Sequence, residues 1–221
     1  MKNYKHFVIT LFNLQFGNTE EKRNYWHKDK RGISTQTEAW LQKRFELFDR
    51  YCFPSMRGQT TPDFIWLCLF DSNTPDVYKS KIEKYKEQMP QFCPLFFSAE
   101  EAEEFNCSDE KERVRFIRRA VASFLTKEDT YVITTNLDND DCFHKDTLKT
   151  IQRYFLDSPR EVLYSMNLGL QYFVKRKAFL KMRYPHNHFL SLVERTDTDF
   201  RTIEFYGHAS ARKELETTDI F

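Results

Sequence analysis

The chain has 221 residues, 40% of them hydrophobic and 16% aromatic, including 22 Phe and 11 Tyr, which is enough to bury a sizeable core. Its 34 basic and 33 acidic residues leave a net charge of +1, so no global electrostatic footprint argues for nucleic acid as a partner. Five cysteines, Cys52, Cys68, Cys93, Cys107 and Cys142, are odd in number and form no CxxC pair, which disfavours both a disulfide framework and a zinc site and fits a reducing cytoplasm.

The amino terminus, MKNYKHFVITLFNLQF, places two lysines before a short apolar run. Thr10, Asn13 and Gln15 interrupt that run, no small-residue cleavage site follows, and no stretch of about 20 apolar residues occurs elsewhere. A soluble, cytoplasmic protein with no transmembrane segment is expected. Residues 6–12 read as a buried strand, and the polar segment 17–36 as a long insertion loop.

From residue 37, Trp40, Leu41, Phe45, Phe48 and Cys52 recur at helical spacing, and Pro54 is expected to stop the helix. DFIWLCLF (63–70) is a continuous apolar run that ends at Asp71 and a turn, DSNTPD, so it reads as a second buried strand. Tyr78, Ile82, Tyr85 and Met89 mark one face of another helix, closed by Pro90. CPLFF (93–97) suggests a third strand before an acidic loop at 99–104.

Residues 109–125 form the best helical pattern in the chain. Asp109 and Glu110 occupy its first turn, Val114, Ile117, Val121, Phe124 and Leu125 its apolar stripe, and Arg113, Arg115, Arg118 and Arg119 the rest. Those arginines fit a solvated face and an anion-binding face equally well. YVITTNL (131–137) follows as a strand, then a helix over 145–156. EVLYSMNLGLQYFVKR reads as a hairpin-like pair around Gly169, HFLSLVER as a short helix and RTIEFY as a last strand before His208. Strands alternating with helices, without repeats or linkers, predict one α/β domain over residues 1–221 with a mostly parallel central sheet flanked by helices.

The chemistry concentrates in LDNDD (137–141). Like charges crowded at Asp138, Asp140 and Asp141 repel unless a cation offsets them. Ligands of an open parallel sheet bind beyond the carboxyl ends of its strands, where these acids and Asp71 are expected. Asp138 and Asp140 point to the same side of such a turn, so two carboxylates can share one ion while ligand phosphates complete its shell, an arrangement that suits Mg²⁺ and Mn²⁺. An EF-hand is excluded, because counting from Asp138 the sixth position is Phe143 and the twelfth Lys149. A phosphatase DxD would lie on the first strand of its core, and a nucleotidyltransferase would place a Gly-Ser helix start shortly before its acids.

FVITLFNL is similar to the opening strand and turn, VxIPTYN, of GT-A fold glycosyltransferases. FIWLCLFDSNTPD resembles their second strand, and TTNLDNDD their DxD strand, third acid included. More narrowly, RFELFDRYCFPSMRGQTTPDFIWLCLFD, YVITTNLDNDD, HFLSLVER and FYGHASARK together resemble a bacterial rhamnosyltransferase family, over most of the chain. The insertion at 17–36 departs from the compact plan by pushing the DxD later.

That resemblance implies a GT-A-like (Rossmann-like) domain and a metal-dependent, inverting glycosyltransferase using Mn²⁺ or Mg²⁺. It would move a sugar, rhamnose by the family's likeness, from a nucleoside-diphosphate sugar to a glycan or lipid-linked glycan acceptor in surface polysaccharide biosynthesis. A peripheral seat at the inner membrane face is compatible with it. By position, Asp71 would read the nucleobase and Asp138 would lie near the ribose or the metal. Asp140 would be the principal metal ligand, with Asp141 in support and His208 completing the shell. Glu194 would act as general base, and Arg115, Arg118 and Arg119 would contact the diphosphate. Two other readings stay open: a metal-dependent phosphatase or nucleotidyltransferase on the same acids, and a non-catalytic sugar-binding module.

Overall fold

The computed structural model describes residues 3–14, 32–35, 37–97, 110–185, 187–206 and 208–220. Most of the 17–36 insertion and the acidic loop at 99–104 therefore lie outside the described residues.

Strands β1 (Tyr4–Leu11), β2 (Ile65–Asp71), β3 (Phe92–Phe97) and β4 (Tyr131–Asn136) pair in parallel, with β1 between β2 and β4 and β3 beyond β2. Strands buried on both faces need no polar alternation, which is why β1 and β2 read as apolar runs. Beyond β4 come β8 (Leu190–Arg195), antiparallel to both its neighbours, then β5 (Val162–Met166) and, parallel to β5, β9 (Thr217–Ile220). The seven-stranded order is β3-β2-β1-β4-β8-β5-β9. A separate antiparallel hairpin, β6 (Leu168–Phe173) with β7 (Ala178–Arg183), leaves between β5 and β8. This is the α/β class expected, a mostly parallel sheet between helices.

Side chains alternate across the sheet. Val8, Trp66, Cys68 and Phe70 enter one core with helices α1 (Glu38–Leu47), α2 (Phe53–Arg57), α3 (Asp76–Gln88) and α5 (Thr147–Asp157). Phe7, Ile9, Leu67 and Leu69 enter the other with α4 (Glu110–Ala122) and α6 (His208–Glu214). Phe48 centres the first core, its ring 5.2–6.4 Å from those of Phe12, Phe53, Trp66, Tyr85 and Phe92. Full burial of one such ring is worth about 1.5–3 kcal/mol.

Four expectations are corrected. Pro54 does not end the helix: residues Phe48–Cys52 form a π-helical turn, the Phe53 N–H reaches back to the Phe48 carbonyl, and Pro54 falls in the first turn of α2, where a missing N–H costs nothing. HFLSLVER is not a helix but carries central strand β8, whose residues 190–194 are all buried. RTIEFY holds only a 3₁₀ turn, Ile203–Phe205. The hairpin turns at residues 174–177, not around Gly169, which lies within β6.

Candidate active site

Strands β1, β2, β3 and β4 all end at one edge of the sheet, and antiparallel β8 begins there. The loop after β4 is braced against β1 at this edge. The Leu137 N–H donates to the Ile9 carbonyl (3.0 Å), and Thr10 Oγ1 donates to the Leu137 carbonyl (2.7 Å) while accepting from Trp66 Nε1 (2.9 Å). Asn139 Nδ2 donates to the carbonyls of Leu11 (3.3 Å) and Phe12 (3.0 Å). Two buried polar residues, Thr10 and Asn139, thus hold the acidic turn in place.

The three acids of that turn divide. Asp138 and Asp141 face His188, two residues before β8, and each of the three offers a ligand atom within 4.8 Å of the others. His188 Nε2 lies 2.6 Å from Asp141 Oδ2 and 3.7 Å from Asp138 Oδ2. Asn136 Nδ2 donates to the His188 carbonyl (3.2 Å). The hydrogen bond to Asp141 raises the imidazole pKa, outweighing the opposite pull of burial, and Asp138 and Asp140 add to the rise.

Asp140 turns instead to Arg44, 2.5 Å away, and the same guanidinium donates to Asn139 Oδ1 (2.9 Å). Arg44 also lies over the Trp40 ring, 4.9 Å from its centroid. Two carboxylates and one imidazole are a donor set that fits a divalent cation.

Asp71 ends β2 at this same edge. It is buried, its Oδ1 accepts the Asn73 N–H (2.8 Å), and its own N–H donates to Asn13 Oδ1 (3.2 Å). Thr74 Oγ1 donates to the Asp71 carbonyl (2.6 Å) and accepts from Asn13 Nδ2 (3.0 Å), linking the ends of β1 and β2.

Two of the remaining expected residues, Glu194 and Arg118, lie away from this edge. Glu194 pairs in register with Val132 near the start of β4, so the four residues to Asn136 alone separate it from the acidic turn by about 13 Å. Its two carboxylate oxygens accept the backbone N–H groups of Arg201 (2.8 Å) and Thr202 (2.9 Å). Burial pushes its pKa up against the pull of those bonds. Arg118 pairs with Asp199 and stacks over Phe200 on the segment that follows β8, at the far end of the sheet. Arg115 and Arg119 lie on the exposed side of α4. His208 opens α6, and its side chain lies outside the described residues.

His188 and Arg44 escaped the sequence reading for different reasons. His188 begins the stretch HFLSLVER, but a helix there directs attention to Glu194, whereas a strand puts its first residue at the site. Arg44 sits among helix-surface charges, and nothing in its spacing announces a partner 95 residues away.

A sequence model of the family described as "Putative rhamnosyl transferase" matches residues 7–193. No curated protein matches. Among solved structures, Staphylococcus aureus TarS residues 1–349 in complex with UDP is similar, with 15% identity and a TM-score of 0.38 over 75% of this chain. The chain spans 36% of that TarS chain. The 4-diphosphocytidyl-2C-methyl-D-erythritol synthase of Anaerococcus prevotii is also similar, at 10% identity and a TM-score of 0.42, over 99% of this chain and 89% of that one.

Proposed function

Because the chain belongs to the family described as "Putative rhamnosyl transferase", we propose that it is a metal-dependent glycosyltransferase that takes its sugar, rhamnose by family likeness, from a nucleoside diphosphate. The observation that carries this reading is the convergence of Asp138, Asp141 and His188 at the carboxyl edge of the sheet. Asp71 lies at the same edge two strands away, and at a strand spacing of about 4.8 Å that is roughly 10 Å, the scale of a nucleoside.

In this reading Asp138, Asp141 and His188 hold the cation, and Asp141 also fixes the orientation of the imidazole. Bound there, Mn²⁺ supplies charge stabilisation for the departing diphosphate. Arg44 keeps Asp140 and Asn139 in place, so the turn meets its ligand preorganised. Glu194 is not carried forward as the general base, since it faces the opposite end of β4. The acceptor is a glycan, and inversion is read from the anomeric configuration of the product.

The test is thermal unfolding with UDP, GDP, dTDP or CDP, each with Mn²⁺, Mg²⁺ or chelator. One nucleotide at a hundred times its Kd should stabilise by about 2.7 kcal/mol, a shift of roughly 5–10 °C that chelator abolishes. Turnover of the matching nucleotide sugar should release a nucleoside diphosphate. Release of phosphate or pyrophosphate would instead support the phosphatase or nucleotidyltransferase reading, and binding without turnover the sugar-binding module.

A further inference from the structure

The β6–β7 hairpin does not behave like the rest of the surface. Of the ten large hydrophobic side chains exposed among the described residues, seven fall between Leu168 and Tyr184. Leu170 is 68% and Phe179 66% exposed, and Leu180 joins them at 51%. A patch of that kind on an otherwise polar surface marks a docking site.

The charge of the same segment is equally lopsided. Residues 168–187 contain Lys175, Arg176, Lys177, Lys181 and Arg183 and no acid. The chain as a whole carries 34 basic and 33 acidic residues, so the hairpin's five cations leave the remainder at −4. Three of the cations crowd the turn at 174–177, where Lys177 adopts a left-handed backbone (φ 49°) that glycine or asparagine would occupy at less cost.

The hairpin is firmly rooted. Tyr184 N–H donates to the Asn167 carbonyl (2.9 Å), and buried Asn187 donates through Nδ2 to Ser165 Oγ (3.2 Å), Asn167 Oδ1 (3.2 Å) and the Tyr184 carbonyl (2.9 Å). Along one side, Tyr172 meets Tyr51 of the π-helical turn with ring centroids 5.9 Å apart. Asn187 is followed at once by His188, so the root of the hairpin is also the wall of the acidic site.

We propose that the β6–β7 hairpin seats the protein on an anionic lipid surface. Its apolar side chains would enter the headgroup boundary and its cations pair with lipid phosphates, which places the Asp138–Asp141–His188 edge next to the bilayer. Apolar side chains interleaved with cations, with no acid among them, match that surface. A second copy of the chain would bring the same five cations against themselves. The inference stands independently of the transferase reading, because it rests on no ligand of the acidic turn.

The test is cosedimentation of the full chain with vesicles of phosphatidylcholine alone or with about a third phosphatidylglycerol. Binding is expected only to the anionic vesicles and should fall as salt rises. Leu170→Ser with Phe179→Ser should abolish it, and Lys175→Ala with Lys177→Ala should lower it about 25-fold, near fivefold per cation. Neither pair should alter the melting temperature or nucleotide binding. Equal binding by the parent and the Leu170→Ser, Phe179→Ser variant would overturn the proposal, as would a parent that ignores anionic vesicles. A parent that sediments as a dimer, with the same variant monomeric, would assign the patch to a second copy instead.

Discussion

At the residue scale, the three acids of LDNDD do different work. Asp141 and Asp138 share the space before His188, whereas Asp140 is held by Arg44. A carboxylate can serve the guanidinium or a cation in that geometry, and removing it should cost the cation little. Asp141→Asn and His188→Ala are therefore expected to weaken Mn²⁺ binding tenfold to a hundredfold or more, and Asp140→Asn by much less, in a titration followed by paramagnetic resonance. Equal losses at Asp140 and Asp141 would return Asp140 to the ligand set. The resemblance puts Asp140 first among the acids, because the sequence shows neither Arg44 nor His188 beside them. Those contacts span 95 or more residues for Arg44 and 47 for the His188–Asp141 pair.

At the scale of the element, β8 explains both a misreading and a residue's real task. Leu190, Ser191, Leu192, Val193 and Glu194 are all buried, so a central strand shows no alternation and is easily taken for a short helix. Glu194 at its far end clamps a strained turn. Thr202, a β-branched residue at φ 70°, is fully buried, and its Oγ1 finds no partner among the described residues. Such a backbone costs about 1–3 kcal/mol and persists only where neighbours hold it. Here the Glu194 carboxylate takes the N–H groups of Arg201 and Thr202, and Thr134 Oγ1 takes that of Ile203. Glu194→Ala should lower stability to urea by about 1–3 kcal/mol while leaving nucleotide and metal binding intact. Loss of turnover with unchanged stability would instead return Glu194 to catalysis.

At the scale of the whole molecule, buried polar residues tie the central strands to the helix that covers them. His6 on β1 is buried between Thr135 on β4 (Nε2 to Oγ1, 2.8 Å) and Gln152 on α5 (Nδ1 to Nε2, 3.2 Å). Burial lowers its pKa to about 3, against about 6.5 for an ordinary histidine. Between those values the unfolded chain takes up a proton that the folded chain refuses, so stability falls as the pH drops through that window. The slope from this residue approaches about 1.4 kcal/mol per pH unit. Urea unfolding at pH 7, 6 and 5 should show it, and His6→Gln should flatten it; an unchanged slope in that variant would mean that another group carries the acid sensitivity.

The sequence by itself determined the α/β class, the four strands β1 to β4, the helices packed beside them and the acidic turn that ends β4. These are local properties: apolar runs, helical spacing and the depletion of Asp from strands can be read within a dozen residues. It also exposed Thr10 and Asn13 as interruptions of an apolar run without saying why they were there. Only the tertiary structure decided that Thr10 braces the acidic turn, that Asn13 ties β1 to the Asp71 turn, and that His188 rather than Glu194 stands opposite Asp141. The reason is geometric. Whether a residue faces the site depends on strand direction and order in the sheet, and the antiparallel entry of β8 puts its first residues at the carboxyl edge and its last ones at the opposite end.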